Sequence, residues 1–227
     1  MIVSERIRQR IEAAGKEYFA SDNISDFIEE GELNELEAEL TEKFSAVLDS
    51  LVIDREDPNS ADTGHRMAKM YLHELMYGRY YKGPKVTAFP NEGSRAYSGM
   101  LVVRSDIKSM CSHHHQTVSG TAFIGIIPSK KVIGLSKYSR IAWHCSRRGT
   151  LQEELTNDIA RAIMEASESE NVAVHITAEH GCCTNRGIRT HNSTTQTTVL
   201  HGQFHDPSVK KEFFDQVKMQ MSGYRCD

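Results

Sequence analysis

The sequence predicts an α+β protein with an antiparallel sheet and a helical N-terminal region. Three observations carry this prediction. Apolar residues between Phe27 and Leu51 recur at helical spacing. From Met100 onward the period becomes that of strands, and these come in adjacent pairs instead of alternating with helices. Two helical segments separate the first pair of strands from the second.

Taken in order, Glu5 to Phe19 holds mostly good helix formers. In the stretch Phe27 to Leu51, Leu33, Leu36, Leu40, Phe44 and Val47 mark an apolar stripe, and a glutamate-rich face lies opposite. Asp54 to Asp62, with Pro58, reads as a loop. A helix is predicted from Thr63 to Met76, with Arg66 and Lys69 three apart and so on one face near its start. Tyr77 to Tyr97, rich in Gly, Pro, Tyr and Lys, reads as a mobile or site-covering loop.

Met100-Leu101-Val102-Val103 begins a strand that ends near Cys111, and Gln116 to Ile127 forms the second. Lys131 to Leu135 is short and extended; Ser136 then opens a helix to about Arg147, and another runs from Leu151 to about Ser167. Val172 to Ala178 is a strand leading into His180. The threonine-rich Thr190 to Phe204 has strand composition, and Ser208 to Met219 closes the chain with a helix. The expected organisation is a helical N-terminal region over 1–60 and an α+β domain over 61–227.

A chain of 227 residues can bury a sizeable core in one large domain. A net charge of −4 gives no support to nonspecific nucleic-acid binding. No apolar run is long enough to span a membrane, and the N-terminus reads as a charged helix instead of a signal peptide. Five cysteines with no export signal argue for a reducing compartment where thiols stay available for metal. The expected location is the cytoplasm.

The chemistry concentrates in two stretches, Met110-Cys111-Ser112-His113-His114-His115 and Glu179-His180-Gly181-Cys182-Cys183. Zinc favours thiolate and imidazole in a tetrahedron, and a catalytic zinc keeps one position open. Cys111 and His114 can reach one ion from a single turn, and a cysteine of the 182/183 pair can close a three-ligand set. Which of that pair binds is not decided by chemistry. His113 and His180 would then remain beside the metal as free imidazoles suited to acid/base work.

A second site is written in Gly134-Leu135-Ser136-Lys137-Tyr138-Ser139-Arg140. Ser136 suits an N-cap, which leaves first-turn N–H groups facing outward, and Lys137 and Arg140 add positive charge at the same end. Arg186 and Arg189 add cations after the second ligand stretch. Glu153 has two readings. In Thr150-Leu151-Gln152-Glu153 it has the spacing of a capping box. It also suits a carboxylate that accepts guanine's adjacent N–H donors.

Together these pieces resemble GTP cyclohydrolase I, the type with zinc held by two cysteines and a histidine. The matching segments are Met110-Cys111-Ser112-His113-His114, Val132 to Lys137 with Arg140, Leu151-Gln152-Glu153-Glu154-Leu155-Thr156, and His180-Gly181-Cys182 with Arg186 to Arg189. Thr63 to Tyr71 resembles the family's preceding helix. The likeness spans roughly residues 60 to 220. It implies a tunnelling fold, in which an antiparallel sheet is backed by two helices, assembled into a toroidal homodecamer with sites at subunit interfaces. It implies conversion of GTP and water to formate and 7,8-dihydroneopterin triphosphate. By position, Cys111, His114 and Cys182 would hold zinc, and His113 and His180 would move protons. Ser136, Lys137, Arg140, Arg186, Arg66 and Lys69 would hold the triphosphate, with Gln152 and Glu153 at the guanine.

Four positions depart from the family pattern or add to it. Ser112 stands where the family usually has a carboxylate, His115 and Cys183 are extra candidate ligands, and Glu179 precedes His180. A carboxylate at Glu179 would raise the pKa of His180 if the two lie close. The competing reading is a catalytically silent zinc- and nucleotide-binding paralogue; intact His113 and His180 count against it.

Overall fold

A computed structural model describes residues 1–190 and 193–222. His191 and Asn192, in the predicted threonine-rich strand, lie outside the described residues, as does Cys226. The chain divides into two compact units: Met1–Lys82 with Arg147–Gly149, and Gly83–Ser146 with the residues from Thr150 onward.

The first unit is helical. It contains α1 (Val3–Ala13), α2 (Glu32–Ser50), α3 (Thr63–Met70), a π-helical turn (Tyr71–Leu75) and α4 (Tyr77–Tyr80). Val3, Ile7 and Ile11, four residues apart, form the buried stripe of α1 and pack with Ile24, Leu36 and Leu72. The helix predicted over 5–19 stops at Ala13. Gly15 adopts a left-handed φ of 63°, and the Lys16 N–H returns to the Ile11 carbonyl at 3.1 Å. Gly31, at φ 86°, likewise separates the 3₁₀ turn Ser25–Phe27 from α2. Buried Glu32 is paired with Arg6 and Arg10. The predicted Thr63–Met76 helix changes period at Tyr71. There His73 bonds Glu37 through Nε2 (2.6 Å) and the Tyr81 hydroxyl through Nδ1 (2.5 Å).

The second unit is α+β, as the strand pairs and helix pair in the sequence imply. Part of the predicted mobile loop is a strand: β1 (Ala88–Pro90) pairs antiparallel with β4 (Lys131–Ile133). The main sheet is antiparallel, built from β2 (Leu101–Met110), β3 (Thr117–Ile126), β5 (Val172–His180) and β6 (Thr195–Leu200), in that spatial order. Helices α5 (Leu135–Ser146) and α6 (Gln152–Ser167) cover one face. Ala122, Ile124, Val174 and Ile176 meet Tyr138, Ile141, Ile159 and Ile163 there. A short helix, α7 (Gly181–Thr184), follows β5 directly. On the other face, α8 (Pro207–Met221) packs Phe213 and Val217 against Phe123 and Ala173.

Register positions the site. Met110, the last residue of β2, pairs with Thr117, and Val118 pairs with His180 at the end of β5. The start of β3 therefore lies between the two ligand-bearing ends, which are 70 residues apart in the chain.

Candidate metal centre and nucleotide site

Cys111 opens the tight turn between β2 and β3. Its N–H donates to the Gln116 carbonyl, and its own carbonyl accepts the His115 N–H, both at 2.9 Å. His115 takes a left-handed φ of 51° to close that turn. Cys111 is buried, whereas His113, His114 and His115 are exposed, with the first two rings edge to face at 6.3 Å.

Among the described residues, one set of three donors lies within 4.8 Å of one another: Cys111, His180 and Cys182. The imidazole in that set is His180, which the sequence put beside the metal; His114, expected as a ligand, is exposed on the adjoining turn. The reason is topological. Pairing of Val118 with His180 carries that ring to the base of the turn, and the turn faces His114 outward. The choice between adjacent cysteines falls to Cys182, with the Cys183 sulfur 4.0 Å away. Burial pushes the Cys182 thiol up to about 11, reinforced by the neighbouring sulfurs of Cys183 and Cys111. Two thiols this close, with imidazoles at hand on the same turn and strand end, fit zinc, whose ligand bonds run about 2.0–2.3 Å and whose charge removes thiol protons.

His180 is held firmly. Its Nε2 lies 2.7 Å from Gln152 Oε1, and the Gln152 amide donates to the Thr195 carbonyl and the Thr197 hydroxyl, both at 3.1 Å. Gln152, expected at the guanine, is 3% exposed and committed to these bonds. Thr156 and Thr197 complete the same network and were not singled out by sequence. Thr156 sits four residues after Gln152, which is visible, but its partner lies 41 positions further on. Burial lowers the His180 pKa, and the Glu153 carboxylate opposes that effect. The carboxylate acting on His180 is therefore Glu153 and not Glu179, whose side chain alternates to the opposite face of β5.

Glu153 is exposed, and the capping role belongs to Glu154, which accepts the Leu151 N–H (3.4 Å) and the Thr150 hydroxyl (3.1 Å). The other expected helix start also shifts. α5 begins at Leu135, so Ser136 lies inside the first turn instead of capping it. Ser136 and Arg140 are exposed, and Lys137 Nζ donates to the Lys85 carbonyl at 2.6 Å. Arg186 is exposed just after α7. Arg66 and Lys69 lie on α3 of the first unit.

Residues 40–218 match the family model described as GTP cyclohydrolase I. The chain belongs to the GTP cyclohydrolase I family. A GTP cyclohydrolase 1 of Shewanella sp. (strain ANA-3) is 39% identical over 175 residues, which is 76% of this chain and 80% of that one. One from Aeromonas salmonicida (strain A449) is 39% identical over 176 residues, with the same coverage. That of Shewanella baltica (strain OS185) is 38% identical over 175. In this member of the family, no helix among the described residues is long and apolar enough to cross a membrane.

Proposed function

We propose that this chain converts GTP and water to 7,8-dihydroneopterin triphosphate and formate, the first step towards folate, pterin or 7-deazaguanine compounds. The observation that carries the reading is the convergence of Cys111, His180 and Cys182 at one end of the sheet, with the Glu153 charge acting on His180, in a chain of this family. Zinc is the proposed cofactor. Cys111 and Cys182 would hold it, with His114, exposed on the adjoining turn, as the third donor that the family likeness names. A bound zinc supplies Lewis acidity at neutral pH.

The chain's own groups then divide the remaining work. Glu153 accepts the paired N–H donors of guanine. His180, within the field of that carboxylate, exchanges a proton with N7 as C8 is hydrated and the imidazole ring opens. His113, exposed on the turn beside Cys111, carries protons in the later steps. Those steps are formate loss, ribose rearrangement and ring closure. Lys137 and Arg140, at the first turns of α5, bind the triphosphate with Ser136 and Arg186. No step changes oxidation state overall, so imidazoles and one Lewis acid suffice. A cytoplasmic homodecamer with sites between subunits belongs to the same proposal.

Mass spectrometry of the products from GTP, with purified zinc-replete protein and a Cys182→Ala control, tests the reading. Dihydroneopterin triphosphate and formate, absent in the control, are expected. Unchanged GTP from folded, zinc-loaded protein would contradict it and favour the silent nucleotide-binding paralogue.

A further inference from the structure

The bonds around Gln152 determine the direction of every proton in a short chain. The Thr156 hydroxyl donates to the Gln152 backbone carbonyl at 2.6 Å, which uses its one proton. The 2.7 Å contact between Thr156 and Thr197 hydroxyls must then run from Thr197 to Thr156. With its own proton spent, Thr197 Oγ1 can only accept, and it lies 3.1 Å from the Gln152 amide nitrogen. That nitrogen also faces the carbonyls of Thr195 (3.1 Å) and Ile176 (3.4 Å). Turning the amide over would set its oxygen against three acceptors inside a buried site, which costs the full penalty of unsatisfied polar groups. The oxygen of Gln152 therefore faces His180, and across 2.7 Å it accepts a hydrogen from Nε2.

We propose that Gln152, oriented by Thr197 and Thr156, is a positioning residue that fixes His180 as the Nε2–H tautomer. The lone pair of the neutral ring is then at Nδ1. Nδ1 is thereby the one acceptor the neutral ring has left. A carbonyl-type acceptor on one ring nitrogen orients the other. The tautomer assignment stands on the hydrogen bonds alone; its catalytic consequence rests on the reaction proposed above.

Solid-state ¹⁵N NMR on histidine-labelled protein as isolated, at about pH 8 where an ordinary imidazole is neutral, reads the tautomer directly. His180→Asn identifies the resonances. A protonated, pyrrole-type Nε2 is expected at His180, and a pyrrole-type Nδ1 would overturn the proposal. Thr197→Val removes one of the three acceptors and keeps the Thr195 and Ile176 carbonyls against the amide nitrogen; the Nε2–H tautomer is expected to remain the major form, and a majority Nδ1–H form would overturn the orientation by these acceptors. Gln152→Leu is expected to lower kcat by about 10- to 100-fold, the usual cost of losing an orienting partner, with KM for GTP unchanged. A raised KM at unchanged kcat would make Gln152 a substrate contact and overturn its positioning role. Absence of GTP turnover would defeat the reaction and leave the NMR result standing.

Discussion

The Glu154 carboxylate accepts the backbone N–H of Leu151 at 3.4 Å, closing the N-terminus of α6. One residue earlier, Glu153 is exposed, and its charge opposes the burial effect on His180. Adjacent glutamates on one helical turn thus divide into a cap and an exposed carboxylate, to which the proposed function gives guanine recognition. Glu154→Ala should cost about 1 kcal/mol of stability, the typical value of a lost cap, and leave guanine selectivity intact. Glu153→Gln should leave the melting temperature nearly unchanged. It should lower kcat/KM for GTP by roughly 30-fold or more, since a hydrogen bond to a charged group is worth about 1.5–3 kcal/mol. Thermal melts and kinetics on both variants check the division; equal selectivity loss in both would refute it.

Zinc content should sort the candidate ligands. Cys111→Ala, Cys182→Ala and His114→Ala are expected to bind well under one zinc per chain, while His180→Asn keeps it and loses turnover. Elemental analysis after purification with zinc reads this. Retained zinc in His114→Ala with zinc lost from His180→Asn would make the three-donor set Cys111, His180 and Cys182 the metal site itself.

His175, on the face of the sheet opposite α5 and α6, gives stability a pH dependence of its own. It is 6% exposed on the α8 face of β5, bonded to the Thr198 hydroxyl at 2.8 Å and packed by Phe123 and Phe214. Burial lowers its pKa below the ordinary 6.5. The unfolded chain therefore binds a proton first as pH falls. The stabilisation is full above about pH 6.5 and is lost as pH drops towards the folded value, with a slope of at most about 1.4 kcal/mol per pH unit from this one group. Denaturant titrations across that window should show a flatter profile for His175→Gln than for the unsubstituted chain.

Two glycines of β3 should differ in tolerance. A Cβ at Gly125 would lie 2.7 Å from Phe213 Cδ2, and a Cβ at Gly120 would run into the Thr177 carbonyl of the neighbouring strand. Rings on α8 can shift, whereas a paired strand backbone cannot. Gly125→Ala should cost about 1–3 kcal/mol, the range for overpacking a core, and Gly120→Ala more. Chemical denaturation of the two variants ranks them.

The strand pairs, the helix pair and the two cysteine–histidine stretches are legible because each is local. Period-2 patterning and ligand type need no partner to be read. What escapes is set across the chain. His180 meets Cys111 through strand register, and Gln152 is held by Thr195 and Thr197 from β6, more than 40 residues away. The helix ends at Ala13 and Tyr71 are also missed, the first because Gly15 turns left-handed, the second because the bonds of His73 accompany a change of period. The two readings of Glu153 differ by a single residue of helix phase, which sequence does not resolve.

The most direct test of the account follows C8 of the substrate. GTP labelled with ¹³C at C8 should release its label as ¹³C-formate in equal amount to the dihydroneopterin triphosphate formed, and the Cys182→Ala variant should release none. Label retained in a pterin, or in unchanged GTP with folded and zinc-loaded protein, would contradict the proposed hydrolysis at C8.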